Sequence, residues 1–452
     1  MIKIVIPSNN IREREYIIDI IFNQFLNLPY QVSFSSNTLD EYYICIDKER
    51  KIVIKDNFFS LYPKNLEYLK ISSIPKEVSY MEDTLCREKD IPVLFGKPII
   101  QRENQTITSY TDIFATLFFM LTRWEEYVNQ TRDEHNRFPH TASLAYQHNF
   151  LNRPIVNEYI ELLWNMLKEL GYSSKRKEES FSILLTHDVD EILRYPNIKR
   201  VLVSMAGDII LRKSLPLALK TLFQYPLILM GKKRDPYDSF DEIMDMSDSF
   251  NIQSHFFFMS GGTTPYDNRY NIREPRVKRI IENIKTRGHT IGIHPSYNAY
   301  NSPLQFKLEK EVLEEVNQEP IVTGREHYLR FEVPHTWQLW EDNHFEWCSN
   351  LAYAQSAGFR TGCCSPYTPF NILSQKQLTV KERPLTMMEV TFVQEAPEIE
   401  DFDKMVDYYL NIVKKYNGEF VLLWHNASLH DHAIKPYTPS YRRTLQQYKS
   451  LV

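Results

Sequence analysis

The segment FSILLTHDVD, residues 181–190, sets two carboxylates two residues apart at the end of an apolar run. Residues i and i+2 of an extended strand project to the same side, so Asp188 and Asp190 are expected to emerge together. Two acids side by side at the end of a buried strand repel each other and raise one pKa unless a cation lies between them. Turn or helix-cap acids that merely end a strand would read the same way. Two more apolar strands close on reactive side chains. Thr290 to Ile293 delivers His294, and Glu419 to Trp424 delivers His425 and Asn426. Side chains of these types bind metals or move protons.

The elements that must position them alternate. After the polar linker Ser173 to Ser180, strands at Phe181 to Leu185, Ser254 to Met259 and Thr290 to Ile293 are separated by helical patterns at Pro236 to Phe250 and Pro275 to Arg287. Strand and helix in alternation imply parallel strands wrapped by helices, and the length beyond residue 175 matches one distorted (β/α) barrel with insertions. In such a barrel the C-terminal strand ends converge on one mouth, where active sites are built. Residues 1–175 read as a smaller α/β domain. It has a strand at Ile2 to Ile6, a helix from Arg12 to Leu26 and short strands at Gln31 to Phe34, Tyr42 to Cys45 and Lys51 to Ile54. Amphipathic helices are expected at Thr111 to Val128 and Pro154 to Leu170.

These motifs resemble the polysaccharide deacetylases of carbohydrate esterase family 4, the NodB homology fold, over roughly Phe181 to Val452. Thr186-His187-Asp188-Val189-Asp190 is similar to the family's first motif, which implies Asp188 as general base and Asp190 as metal ligand. Gly288-His289-Thr290-Ile291-Gly292-Ile293-His294 matches the second, implying His294 as a ligand, with Asn298 at the position that usually carries a further histidine. Tyr328-Leu329-Arg330-Phe331-Glu332-Val333-Pro334 resembles the third, implying that Arg330 holds the base ionised, although Arg330 could simply pair with Glu332 or a helix end. Leu422-Leu423-Trp424-His425 resembles the last, implying His425 as general acid. Glu389 could support the mouth or be a surface acid. Thr336-Trp337, Gly358-Phe359-Arg360, Pro384 to Thr391, Asp112 to Tyr127 and Arg153 to Tyr159 are similar to a bacterial branch with an extra N-terminal domain of unknown role.

The resemblance implies a metal-dependent hydrolase of carbon–nitrogen bonds that removes N-acetyl groups from a sugar of a surface polysaccharide or its precursor, with a divalent ion, zinc, as cofactor. Tyr297, Trp424 and Trp337 could stack on a sugar or pack in the core. Two other readings stay open. A metal-free carbohydrate-binding or regulatory protein is favoured by Asn298, and the same fold also hydrolyses other non-peptide C–N bonds.

Composition narrows the partners. A net charge of −5, from 58 acids and 53 bases, has no dominant sign and argues against nucleic acid. No window is long and apolar enough to span a bilayer and no secretory signal is read, so a cytoplasmic location is expected. Five cysteines form no paired framework, which fits a reducing compartment. The basic and apolar insertion from Arg194 to Arg234 could lie against an anionic membrane surface, cover a substrate groove, or pack as a helical pair on the barrel wall. His430 and His432 read as solvated surface residues.

Overall fold

The computed structural model describes residues 1–35, 40–267, 270–431 and 434–452, so His432 lies outside the described residues. The chain divides into two compact units. Unit 1 comprises Met1–Ser182, Tyr328–Thr386 and Tyr409–Phe420; unit 2 comprises Ile183–His327, Met387–Tyr408 and Val421–Val452.

In unit 1 a six-stranded sheet is built from β1 (Ile2–Pro7), β2 (Tyr30–Ser35), β3 (Glu41–Cys45), β4 (Lys51–Lys55), β5 (Gly96–Glu103) and β6 (Thr106–Thr111), in the order β2-β1-β3-β4-β6-β5. Ile2, Ile4 and Ile6 alternate into the core, as the period of a half-buried strand requires. Helix α1 (Ile11–Asp19) runs on into a π-helical stretch, Ile20–Phe25. Helix α2 (Ile113–Thr122) is buried all round, and its cap is Asp112, which accepts the Ala115 N–H.

The single helix expected over 111–128 is broken at Arg123, whose φ of 53° is left-handed; a second helix, Trp124–Val128, follows. The break carries the Arg123 guanidinium back onto Glu125 and Glu126, and all three side chains are buried. Helix α3 (Ile155–Glu169) meets the second segment of unit 1, where the Val156 N–H donates to the Gly362 carbonyl. Arg360 of that segment makes a two-pronged contact with Glu126 at 2.9 and 2.5 Å.

Unit 2 is organised on six strands, β7 (Ser182–Val189), β8 (Ser254–Phe258), β9 (Thr290–Ile293), β10 (Thr323–Gly324), β11 (Met387–Met388) and β12 (Glu419–Leu423), in the order β10-β9-β8-β7-β12-β11. The pairs β7/β8, β8/β9, β9/β10 and β11/β12 are parallel. This layout is consistent with a (β/α) barrel, and helices α6 (Phe240–Ser249), α7 (Pro275–Thr286) and α8 (Pro303–Asn317) fill the connections.

Register matters here more than shape. Phe258 is level with both Val189 and Ile293, so Asp190 and His294 each stand one residue beyond matched strand ends. Ile293 is level with Gly324, so Arg325 stands beside His294. A Cβ on Gly324 would lie 2.1 Å from the Ile293 carbonyl oxygen, so only glycine allows this close approach.

Between β7 and β8 the insertion forms a hairpin of α4 (Ile198–Ile210) and α5 (Leu215–Leu229). Of its helical residues only Val201, Asp208, Ala218 and Thr221 are buried. The buried and half-buried positions recur at helical spacing, Val201, Met205 and Asp208 on α4 and Ala218, Thr221 and Tyr225 on α5, while the large apolar residues between them are exposed. Among the described residues no helix is long and apolar enough to cross a membrane.

Candidate metal centre

Three side chains meet where the strands of unit 2 end. Asp190 Oδ1 lies 3.3 Å from His294 Nε2 and 3.5 Å from His327 Nδ1, and the two ring nitrogens are 2.9 Å apart. Tetrahedral coordination with bonds of about 2.0–2.1 Å sets ligand atoms roughly 3.3 Å apart, so these three atoms have the spacing of one face of such a shell.

The tautomers sharpen the point. His294 Nδ1 is 2.7 Å from the Arg325 carbonyl oxygen and His327 Nε2 is 2.8 Å from that of Tyr266. A carbonyl only accepts, so each ring spends its proton there and both facing nitrogens are left with lone pairs. Two lone pairs at 2.9 Å repel unless a proton or a metal ion lies against them. Asp190 Oδ1 is buried and accepts no hydrogen bond, although the side chain as a whole is 37 % exposed. Two imidazoles and a carboxylate therefore fit a divalent ion as three ligands of a tetrahedral set.

Charge follows the same pattern. Burial pushes the Asp190 carboxyl up, but His327, His294 and His425 hold it well below the usual carboxylate range. Burial lowers His294, yet Asp188 and Asp190 leave it raised. His327 is lowered by burial, with Asp190 opposing.

Around the triad stand two further groups. Asp188 is buried, its Oδ1 accepting from Arg325 Nη1 at 2.9 Å and its Oδ2 lying 3.9 Å from His294 Nε2. His425 gives its Nδ1 proton to Glu389 Oε1 at 2.7 Å, and its Nε2 faces Asp190 Oδ2 at 3.9 Å. Burial would lower the His425 pKa, but the fully buried Glu389 raises it to about 10. His187, between these groups in sequence, is a satisfied core residue, with Nδ1 on the Trp424 carbonyl and Nε2 on Ser254.

Asp188, Asp190, His294 and His425 are thus brought together, and within unit 2 Asn298 and Trp424 are not. Arg330 belongs to unit 1, where its Nε donates to the His135 carbonyl; the guanidinium on Asp188 is that of Arg325. Asn298 is exposed at the start of the short turn Ala299–Asn301, and the second imidazole is His327. Trp424 and Trp337 are fully buried and offer no face to a sugar. Trp424 packs against Phe402 and Tyr441, while Trp337 donates its indole N–H to Glu382. Tyr297 is half-buried and stacks on the exposed Tyr266 at 4.5 Å, next to the carbonyl that takes the His327 proton. His430 pairs with Glu242.

His327 and Arg325 were missed because β10 is only two residues long. Their signal was Ile321-Val322-Thr323-Gly324-Arg325-Glu326-His327, a short apolar stretch running into an arginine and a histidine.

Residues 2–172 match a family of unknown function, DUF7033. No curated protein matches the chain. Among similar solved structures, a candidate polysaccharide deacetylase from Mycobacterium smegmatis shares 15% identity, with 61% of this chain and 86% of that one covered and a TM-score of 0.39. Puue allantoinase shares 15%, covering 62% and 90%, with a TM-score of 0.39. The chitin deacetylase of the fungal pathogen Colletotrichum lindemuthianum shares 11%, covering 60% and 86%, with a TM-score of 0.32. At such identities and scores the likeness assigns no activity to this chain.

Proposed function

We propose that unit 2 is a metal-dependent hydrolase that removes an N-acetyl group from a saccharide. The observation that carries this reading is the pair of facing imidazole nitrogens, His294 Nε2 and His327 Nδ1, set with Asp190 Oδ1 at ligand spacing. A divalent ion bound there, zinc by the chemistry of the donors, supplies positive charge that polarises a carbonyl and acidifies water.

The chain's own residues do the rest. Asp188, its Oδ1 fixed by Arg325, takes a proton from the attacking water at Oδ2. His425, its Nδ1 proton committed to Glu389, gives a proton from Nε2 to the departing nitrogen, so that the amine leaves neutral. Acetate and an amino sugar are the products. The Tyr266–Tyr297 pair gives a sugar ring an aromatic face beside the centre. The first, second and last of the motifs that resemble the family 4 deacetylases, which supply Asp188, Asp190, His294 and His425, support the choice of an N-acetylated sugar over another amide.

Metal analysis of protein purified without chelator, together with acetate release from N-acetylated saccharides, tests the reading. Asp188→Asn is expected to keep the metal and lose acetate release by about 10²–10⁴-fold, while Asp190→Ala loses both. Wild-type protein free of metal would favour a carbohydrate-binding role, and metal-loaded protein that cleaves only other C–N bonds would move the substrate class.

A further inference from the structure

The hairpin α4–α5 leaves many large apolar side chains exposed. Thirteen of the 27 exposed large hydrophobic side chains among the described residues lie between Ile198 and Met230. Eight of them are 58–81 % exposed, Leu211 and Phe223 the most. Single exposed leucines need no explanation, but so many exposed large apolar side chains on one helical pair mark a surface meant to be covered.

Its charge says by what. Residues 194–234 hold nine Lys or Arg and one Asp, a net +8 in a chain of net −5. Arg194, Arg200, Arg212 and Arg234 are engaged with Asp431, Glu191, Asp208 and Asp241. Lys199, Lys213, Lys220, Lys232 and Lys233 are exposed and have no carboxylate partner among the described residues.

A second copy of the chain would set these lysines against their own equivalents, and like charges facing each other across an apolar contact oppose it. Helices of 13 and 15 residues extend about 20 and 22 Å, short of the roughly 30 Å hydrocarbon layer, so the hairpin cannot span a bilayer. Apolar side chains fringed by unpaired lysines are the composition of helices that lie in the plane of an anionic lipid interface.

From this we infer that the α4–α5 hairpin docks the protein on an anionic membrane surface, its apolar side chains entering the headgroup boundary and its lysines meeting lipid phosphates. The inference is independent of the reaction proposed for the metal centre.

Co-sedimentation of the full chain with vesicles of phosphatidylcholine alone, or of equal parts phosphatidylcholine and phosphatidylglycerol, tests it. Binding to the anionic vesicles is expected to be at least about tenfold tighter and to weaken with salt. The exposed double variant Leu211→Ser/Phe223→Ser should keep the melting temperature and lose vesicle binding by about tenfold or more. Lys232→Ser/Lys233→Ser should weaken binding and flatten its salt dependence. Failure to bind anionic vesicles, or binding by both double variants that equals that of the wild type, overturns the proposal. So does a dimer in sedimentation velocity that Leu211→Ser/Phe223→Ser dissolves, since a second copy would then be what covers the face.

Discussion

Two imidazoles that have each given their proton to a backbone carbonyl are pre-set to receive a cation, and that commitment resides in four atoms: His294 Nδ1, the Arg325 carbonyl oxygen, His327 Nε2 and the Tyr266 carbonyl oxygen. His327→Ala is therefore expected to lower divalent-metal affinity by about 10²-fold or more, read by competition with a chelating dye, whereas Asn298→Ala should leave it within about threefold. The two arginines separate as cleanly. Arg325 touches Asp188 and the Thr186 hydroxyl, so Arg325→Met should cut kcat for acetate release by about 10²-fold with little change in KM. Arg330→Met, at the His135 carbonyl, should leave kcat within about threefold. Equal losses in both variants would remove Arg325 from the role given to it.

At the scale of elements, the centre depends on parallel register. Phe258 aligns Val189 with Ile293, and Ile293 aligns with Gly324, so Asp190, His294 and Arg325 leave adjacent strands at one level. A slip of one residue would turn each of these side chains to the opposite face. Gly324→Ala forces a methyl group into the Ile293 carbonyl, and the strand must move to admit it. We expect a loss of about 1–3 kcal/mol in stability, measured by denaturant titration, together with weaker metal binding, because the displaced strand carries Arg325 and leads to His327. The hairpin α4–α5 shows the converse case. Its helical pattern was plain in the text, but whether its apolar face met protein or solvent was not, since periodicity records a face and not its partner.

For the whole molecule, the telling fact is that residues 328–386 return to unit 1. Arg360 reaches Glu126 in the interior, and the Tyr367 hydroxyl donates to the Leu121 carbonyl on α2. Removing Arg360 leaves the buried Glu126 with Arg123 alone, so Arg360→Met is expected to destabilise the protein by about 3–5 kcal/mol in chemical denaturation. The pH dependence follows from Glu126. Burial alone would raise its carboxyl, but Arg360 and Arg123 hold it down to about 2, from an ordinary 4.5. A carboxylate depressed in the folded state binds fewer protons than the unfolded chain. Its contribution is therefore complete above about pH 4.5 and is lost as the pH falls toward 2. The stability gap between wild type and Arg360→Met should accordingly narrow between pH 4.5 and 2; a gap that stays constant over that window would exclude Glu126 as its source.

The sequence by itself determined the local facts: alternating strands and helices after residue 180, the two aspartates on one side of a strand, and histidines placed at the ends of two more. Each of these follows from a period of two or of 3.6, which neighbouring residues impose on one another. Only the tertiary structure decided that Arg325 and not Arg330 meets Asp188, that His327 completes the ligand set, and that Trp424 and Trp337 lie in the core. Those choices rest on which strands are adjacent and at what register, and a contact made between residues more than a hundred positions apart leaves no trace in the local pattern of either partner.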